Sequence, residues 1–234
     1  ERAESAAPRA PAVAVLAPRM TGRAIGLPHV AALLARGAPL RIVAFGSSTT
    51  EGIGASAPVL AYPARLEAEL AAAVPGGPVR VLNRGVGGAD AVVMARHVQE
   101  ILAEQADLVV WQTGSNDIVN GVPPTRLAAL TRQGIAAMLH AGSDVLLVEP
   151  QFCPVLEGVA DAPRYRQVLR RLAAEMRIPL LRRHDRMRDV PAAAAMTGPD
   201  GLHLTDFGHA WLGHAVAREI LVAAGCGRLI PERY

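Results

Sequence analysis

The chain has 234 residues, of which 51% are hydrophobic, 19% are charged and only 3% are aromatic. This composition excludes a chain that is disordered throughout and predicts one folded domain with a mainly aliphatic core. The formal net charge of +3 comes from basic residues that are interleaved with acidic ones along the chain, so we expect no nucleic-acid partner.

The N-terminal part differs in composition from the rest. Residues 1–19 are rich in Ala and Pro and show little amphipathic periodicity, so residues 1–38 are predicted to be a leader with a short lead-in, and residues 39–234 the folded domain. No run of 18 uninterrupted apolar residues occurs, which predicts no integral membrane segment. The Ala- and Pro-rich beginning leads us to expect a periplasmic or secreted protein, with the cytoplasm as the alternative. Cys153 and Cys226 either pair or stay reduced, and free thiols are favoured.

Short apolar runs alternate with longer segments of helical periodicity after residue 38. Strands are predicted at residues 40–45, 79–82, 107–112, 144–149 and 178–181. Helices are predicted at residues 62–74, 90–102, 124–140, 163–176 and from about 205 to 224. The alternation is typical of an α/β fold in which helices cover a parallel sheet.

Basic residues are densest near the last predicted strand. The group consists of Arg182, Arg183, Arg186 and Arg188, with Arg170 and Arg171 in the preceding helix. Such a group predicts a solvated surface, and the alternative is a site for an anionic acyl or glycan group.

Small and polar residues follow the carboxyl ends of three predicted strands. Ser47 and Ser48 follow the first strand, Gly87 and Gly88 the second, and Asn116 the third. Because ligands of open α/β sheets bind at this edge, we expect the functional site there.

Ser48 is the candidate nucleophile. It lies in the segment FGSSTTEG, where a helical turn after the strand would place its hydroxyl near backbone N–H groups and a positive helix end. A catalytic serine also needs a base, a group that orients the base, and donors for the oxyanion. The alternative is that Ser48, which forms a capping-box pattern with Glu51, only caps a helix.

Asp200 and His203 are the candidates for the acid and the base. Their spacing in PDGLHLTDFGH brings a carboxylate and an imidazole to the same side of a turn, so Asp200 can hold the Nδ1 proton while Nε2 faces the serine. The alternative is a capping aspartate beside a surface histidine.

Asn116 and Gly88 are the candidate oxyanion donors. Asn116, in the segment GSND, offers a neutral amide N–H that does not protonate the base. Gly88 offers a backbone N–H that a substrate can approach closely, since no side chain stands in the way. Ordinary turn chemistry is the alternative for both residues.

Four segments, FGSSTTEG, NRGVGGAD, GSND and DGLH, resemble in order and spacing the four signature blocks of the SGNH (GDSL-type) serine hydrolases. The resemblance extends from Phe45 to His203 and implies a three-layer α/β/α sandwich with a flavodoxin-like parallel sheet. It assigns Ser48 as nucleophile, His203 and Asp200 as base and acid, and Ser48, Gly88 and Asn116 as the oxyanion hole.

The sequence departs from the family pattern at two positions. Ser47 stands where the family usually has Asp, and Gly87 where it often has a small polar residue. Ser47 therefore becomes a rival nucleophile, but the alignment of Gly46 and the Thr-Glu-Gly run favours Ser48.

The resemblance implies a serine esterase that hydrolyses an acyl ester and requires no metal or other cofactor. Because aromatics are few and no long apolar insertion follows the second or third block, we expect a short, acetyl-like group on a carbohydrate, so the partner is a small-molecule or glycan ester. The alternatives are an acyltransferase with the same triad, a lysophospholipase or thioesterase, and a non-catalytic glycan-binding module. His209 and His214 do not share a helix face and are predicted to be structural.

Overall fold

Five parallel strands organise the residues that the structure, a computed structural model, describes: 25–74, 76–231 and 233. The strands are β1 (Leu40–Gly46), β2 (Val79–Gly85), β3 (Leu108–Gln112), β4 (Asp144–Val148) and β5 (Leu180–Leu181). They lie in the order β2-β1-β3-β4-β5, and each neighbouring pair is parallel. This arrangement confirms the predicted α/β fold with a flavodoxin-like sheet.

Helices cover both faces of the sheet. They are α1 (Pro28–Ala35), α2 (Ser48–Glu51), α3 (Tyr62–Ala73), α4 (Ala91–Ala103), α5 (Ser115–Asn120), α6 (Pro124–His140), α7 (Pro154–Glu157), α8 (Ala162–Met176), α9 (Arg183–Arg188) and α10 (Asp206–Ala223). α1, α3 and α10 pack against strand residues such as Ile42 and Ala44, whereas α4, α6 and α8 pack against Val43 and Phe45. Because successive strand residues point to opposite faces, the buried strands supply apolar side chains to both layers.

Helix α1 packs on the core although it falls in the segment that the sequence analysis set apart as a lead-in. Leu27, Val30 and Leu33 are buried, and the backbone N–H of Leu27 donates to the carbonyl oxygen of Ala223 (3.1 Å). The packed unit therefore includes residues from Leu27 onward. The predicted leader, residues 1–19, lies outside the described residues.

Three strands lie within one residue of the predicted bounds, and two differ by more. β2 continues past the apolar run to Gly85, because its backbone stays paired with β1 as far as Gly46 even where its side chains are exposed. β5 is shorter, because the N–H of Ile178 donates to Ala173 at the end of α8 and Pro179 has no N–H to contribute to a ladder.

The strand order determines where the site lies. The chain passes from β1 to β2 on one side and later adds β3 on the other side of β1, so the carboxyl ends of β1 and β3 meet at a switch point. Ser48 directly follows the turn after β1, and Asn116 lies just beyond β3. Both residues therefore stand at the crevice where this class of sheet binds ligands.

Two further sequence predictions concern the thiols and the membrane. Cys153, which is buried, and Cys226, which is partly exposed, are both free, as expected. Within the ranges given above, no helix combines the length and the apolar character that crossing a bilayer requires.

Candidate active site

The candidate nucleophile sits in a tight turn between β1 and α2. Ser48 is the first residue of α2, and its Oγ lies 3.2 Å from Nε2 of His203. Helix α2 packs closely against Gly85 of β2. A Cβ at residue 85 would overlap the backbone of Thr50 and Glu51, so this packing requires a glycine. The interpretation that Ser48 only caps a helix is wrong, because Ser47 occupies the N-cap position and makes no side-chain capping bond.

The rival serine is engaged inside the protein. Ser47 is buried, and its Oγ donates to Oε1 of Gln112 (3.1 Å), which also accepts the backbone N–H of Ser47 (3.0 Å). The hydroxyl of Thr50 donates to the same oxygen (3.2 Å). Gln112 thus fixes both ends of the turn that carries Ser48.

Gln112 belongs to a small buried polar cluster that the sequence analysis missed. The Thr50 hydroxyl also pairs with the hydroxyl of Tyr62 (3.1 Å), and burial raises the pKa of Tyr62 to about 12, so the phenol stays neutral. The signal was present in the sequence, because a glutamine ends the otherwise apolar strand LVVWQ.

Asp200 and His203 lie together in a loop before α10. We call residues 197–204 the acid–base loop; its ends are joined by an antiparallel bridge between Thr197 and Leu204. Oδ2 of Asp200 lies 2.6 Å from Nδ1 of His203. This contact places the ring proton on Nδ1 and leaves Nε2 as an acceptor for the Ser48 hydroxyl.

The carboxylate of Asp200 is held by several donors. Its Oδ1 accepts the backbone N–H groups of Leu202 and His203, each at 3.0 Å. The Leu202 N–H and the His203 side chain, in that order, are the main causes that lower the pKa of Asp200 to about 2. The carboxylate is therefore ionised at neutral pH and can stabilise an imidazolium on His203. Asp200 does accept two backbone N–H groups, as the alternative of a capping aspartate expects, but His203 also lies 3.2 Å from the Ser48 hydroxyl, a contact that this alternative does not predict.

The candidate oxyanion donors are joined to the nucleophile turn by hydrogen bonds. The N–H of Val86, at the start of the Gly-rich loop, donates to Gly46 (2.9 Å), and Nδ2 of Asn116 donates to the carbonyl oxygen of Ala89 (2.9 Å). In the described part of the chain, the backbone N–H groups of Ser48 and Gly88 have no acceptor. Because an amide nitrogen carries two N–H bonds, Asn116 also retains one for a ligand.

Gly88 has the conformation that its proposed role needs. Its φ is +72°, a left-handed value that glycine adopts without strain, and a Cβ there would meet no atom within 4 Å. The position that a side chain would occupy at Gly88 is therefore free of neighbouring protein atoms.

Asp117 supports the same region from inside. Its Oδ1 accepts the N–H of Ala91 at the start of α4 (3.1 Å), while Asn116 holds Ala89 two residues earlier. Burial is the main cause that raises the pKa of Asp117 to about 6. The two side chains together connect α5 to the loop that contains Gly88.

The basic group is not uniformly solvated, so the sequence interpretation is wrong for one of its members. Arg182 is exposed and pairs with Asp185 (2.6 Å), but Arg183 is fully buried. Arg183 is the first residue of α9, and its side chain lies in the interior, where Nη1 donates to Oε1 of Gln151 (3.3 Å). Burial lowers its pKa to about 10, which leaves it charged at neutral pH, and this position does not suit a surface site for anionic substrates.

His209 and His214 both have structural partners, as the sequence predicts. Nδ1 of His209 accepts the N–H of Tyr62 (3.2 Å), and its Nε2 donates to the carbonyl oxygen of Ile53 (3.1 Å). His214 contacts Glu69 (3.2 Å). Among the residues for which positions are given, no group of three His, Cys, Asp or Glu side chains is arranged to hold a metal ion.

Comparisons with known proteins identify the family and the fold of the chain. A model of the Non-GDSL lipase-like family matches residues 14–225. Among solved structures, a lipase/acylhydrolase from Enterococcus faecalis is 24% identical with a TM-score of 0.68, covering 83% of this chain and 100% of that one. No curated protein sequence matches the chain significantly.

Two other solved structures are carbohydrate esterases. An acetylxylan esterase from Geobacillus stearothermophilus is 19% identical with a TM-score of 0.65, covering 82% of this chain and 96% of that one. A two-domain esterase active on acetylated mannans is 20% identical with a TM-score of 0.69, covering 86% of this chain and 54% of that one. At these identities the likeness establishes the shared fold.

The family name also fits the first sequence block, in which Ser47 replaces the aspartate of a Gly-Asp-Ser-Leu motif. The family model covers more than half of the chain, so the chain belongs to the Non-GDSL lipase-like family. This family is a group of lipase- and esterase-type hydrolases within the SGNH/GDSL class.

Proposed function

We propose that this protein is a serine esterase that removes a short, acetyl-like acyl group from a carbohydrate through Ser48, His203 and Asp200. The observation that carries the proposal is the continuous line of contacts from the Ser48 hydroxyl to His203 (3.2 Å) and from His203 to Asp200 (2.6 Å). A nucleophile, a base and an orienting acid at hydrogen-bond distance are what serine-dependent acyl transfer requires.

In the proposed reaction, Oγ of Ser48 attacks the ester carbonyl carbon while Nε2 of His203 takes the hydroxyl proton. The backbone N–H groups of Ser48 and Gly88 and the amide of Asn116 stabilise the negative charge on the carbonyl oxygen. His203 then gives its proton to the departing alcohol, which leaves the acyl group on Ser48.

The second half of the reaction uses the same groups. His203 takes a proton from a water molecule, which attacks the acyl carbon. The bond between that carbon and Oγ of Ser48 then breaks, the acid leaves, and the proton passes from Nε2 to Oγ and restores the Ser48 hydroxyl. Asp200 stays ionised throughout, since its pKa of about 2 lies well below neutral pH. The carboxylate therefore holds the imidazole and stabilises its charged form in both halves.

The choice of substrate class rests on composition and on structural neighbours. Only 3% of residues are aromatic, and no long apolar insertion follows the second or third block to form a lipid tunnel. Two structural neighbours are described as an acetylxylan esterase and an esterase active on acetylated mannans. These observations support an acetylated glycan over a long-chain lipid.

The test is a substrate panel. We expect purified protein to release acetate from acetylated xylo- or manno-oligosaccharides and to cleave p-nitrophenyl acetate faster than the butyrate and octanoate esters, with Ser48→Ala as the blank. Preference for octanoate or for a lysophospholipid would replace the substrate class but not the chemistry. No hydrolysis of any ester, together with glycan binding, would contradict the enzymatic proposal. Transfer of acetate to an added sugar faster than to water would identify an acyltransferase.

A further inference from the structure

A buried glutamine connects the helix that carries Asn116 to the acid–base loop. Gln151 follows β4 and is 2% exposed. Its Oε1 accepts the hydroxyl of Ser115, the first residue of α5 (2.8 Å), and Nη1 of Arg183 (3.3 Å). Its Nε2 donates to the carbonyl oxygen of Leu202 (3.3 Å).

The hydrogen bond from Gln151 reaches the peptide unit between Leu202 and His203, directly before the candidate base. The carbonyl group of Leu202 and the N–H of His203 belong to one planar unit, so they turn together. The N–H side of this unit donates to Oδ1 of Asp200 (3.0 Å), and the carbonyl side accepts from Gln151. Asp200 and Gln151 therefore hold opposite edges of the unit that sets the direction of the His203 side chain.

Arg183 gives the amide of Gln151 a defined orientation. Its guanidinium can only donate, so a flipped amide would turn its own N–H bonds against a cation, whereas the Ser115 hydroxyl can either donate or accept. Arg183 is fully buried and remains charged, which makes such a flip costly. The nitrogen of Gln151 consequently faces Leu202.

We propose that Gln151 is a positioning residue that keeps His203 aimed at Ser48, and that buried Arg183 acts by fixing the orientation of this amide. Gln151 touches neither substrate nor the reacting atoms and acts through the backbone of the acid–base loop. The proposal rests on the proposed function for its kinetic consequence, but its structural consequence is measurable without a substrate.

The first test is Gln151→Glu. The carboxylate keeps an acceptor for Ser115 and pairs directly with Arg183, but it replaces the donor facing Leu202 with a second oxygen. We expect kcat to fall about 10- to 100-fold because the base is misaligned, with KM changed less than about twofold and Tm not lowered. Gln167→Glu is the matched control, since Gln167 is an exposed glutamine that accepts a hydrogen bond from Arg171 (3.0 Å), and it should leave kcat unchanged.

A spectroscopic measurement separates positioning from general stability. The proton between Nδ1 of His203 and Asp200 should give a low-field ¹H resonance that shifts or broadens in Gln151→Glu but not in Gln167→Glu. An unchanged resonance together with kcat within twofold of the wild-type value would overturn the proposal. If the wild-type protein hydrolysed no ester, the proposed function would fail while the resonance still decided the role of Gln151.

A second variant applies if Gln151→Glu does not fold. Ser115→Ala leaves the Nε2 donor of Gln151 facing Leu202 and removes one of the two hydrogen bonds that hold Oε1 of the same amide. We expect a loss in kcat of about threefold with unchanged KM and a broadened resonance. No change in either quantity would contradict the proposal.

Discussion

The two halves of the candidate site are built in different ways. The nucleophile turn, residues 46–52, is packed into the sheet: Thr49 and Thr50 are buried, and one glutamine at the end of β3 holds the turn from below. The acid–base loop is anchored in the core by Leu204, but the side chains of Asp200 and His203 are 51% and 28% exposed, and hydrogen bonds hold this exposed part of the loop.

Because of this difference, we expect substitutions in the two regions to affect catalytic activity and the free energy of unfolding in different proportions. A change beneath the nucleophile turn disturbs buried contacts and should lower stability together with activity. A change in the acid–base loop removes few buried contacts and should lower activity with little loss of stability. The following predictions test that contrast, from the largest expected effect to the smallest.

The two neighbouring serines give the strongest contrast. Ser48→Ala removes the nucleophile, so kcat for p-nitrophenyl acetate should fall by at least about 10⁴-fold while Tm stays near the wild-type value. Ser47→Ala removes only a hydrogen bond to Gln112, so it should keep most activity and lose about 1 kcal/mol in the free energy of unfolding. Equal losses of activity in the two variants would show that the serines are wrongly assigned.

In the acid–base loop, Asp200→Asn should lower kcat by roughly 10³- to 10⁴-fold, because the amide no longer fixes the tautomer of His203. The pKa of Asp200 is lowered to about 2, so its contribution to stability is present above the ordinary carboxyl pKa and is lost as pH falls through about 2. As the pH is lowered from about 5 to about 2, the Tm of Asp200→Asn should therefore fall by less than the Tm of the wild-type protein. A wild-type rate in Asp200→Asn would remove the acid from the mechanism.

For the oxyanion donors, Asn116→Ala should cost about 3 kcal/mol of transition-state stabilisation, or roughly 100-fold in kcat, with a smaller change in KM. Asn120→Ala is the matched control on the same helix, because its amide donates to the carboxylate of Asp90 (3.1 Å) and Asn120 is not one of the candidate oxyanion donors. Steady-state kinetics on one activated ester would compare the two. Similar rates in both variants would leave Asn116 with a purely structural role.

Beneath the nucleophile turn, Gly85→Ala should lower the free energy of unfolding by about 1–3 kcal/mol, because the new Cβ overlaps the backbone of Thr50 and Glu51. Activity should fall with stability, since α2 must move to make room. Urea denaturation and kcat measured on the same sample test this pairing. Gly158→Ala is the matched control, because Gly158 has an ordinary φ of −71° and a Cβ there would lie 3.4 Å from the carbonyl oxygen of Val155, a normal contact distance.

The smallest expected effect concerns Asp117. Burial raises its pKa to about 6, so its contribution to stability is full below the ordinary carboxyl pKa and is lost as pH rises through about 6. Asp117→Asn keeps an acceptor for Ala91 and removes the buried charge, so it should be relatively more stable at pH 8 than at pH 5, by about 1 kcal/mol. Thermal unfolding at the two pH values measures this difference, and an opposite sign would contradict the assignment.

The sequence predicts which residues lie at the candidate site better than it predicts the buried residues that hold them in place. Strand ends follow from apolar runs that stop at Gly or a polar residue, and this is why Ser48 and Asn116 could be placed at one edge of the sheet. The polar end of LVVWQ points to Gln112, but the partners of Gln112 and Gln151 depend on which strands become neighbours, and local pattern does not contain that information.

Arg183 is a second residue whose environment the sequence does not predict. Composition around it predicts a solvated basic surface, but Arg183 is fully buried and donates to Oε1 of Gln151 (3.3 Å). Arg183 begins α9, and a helix of six residues is too short for its apolar periodicity to show which side chains point inward.

The most direct measurement is the site of covalent labelling by a serine-directed phosphonate, identified by peptide mass spectrometry. We expect one adduct, on Ser48, formed by the wild-type protein and by Ser47→Ala, and formed far more slowly by His203→Ala. An adduct on Ser47, or labelling of Ser48 at the same rate without the imidazole, would contradict the claim that His203 activates the Ser48 hydroxyl.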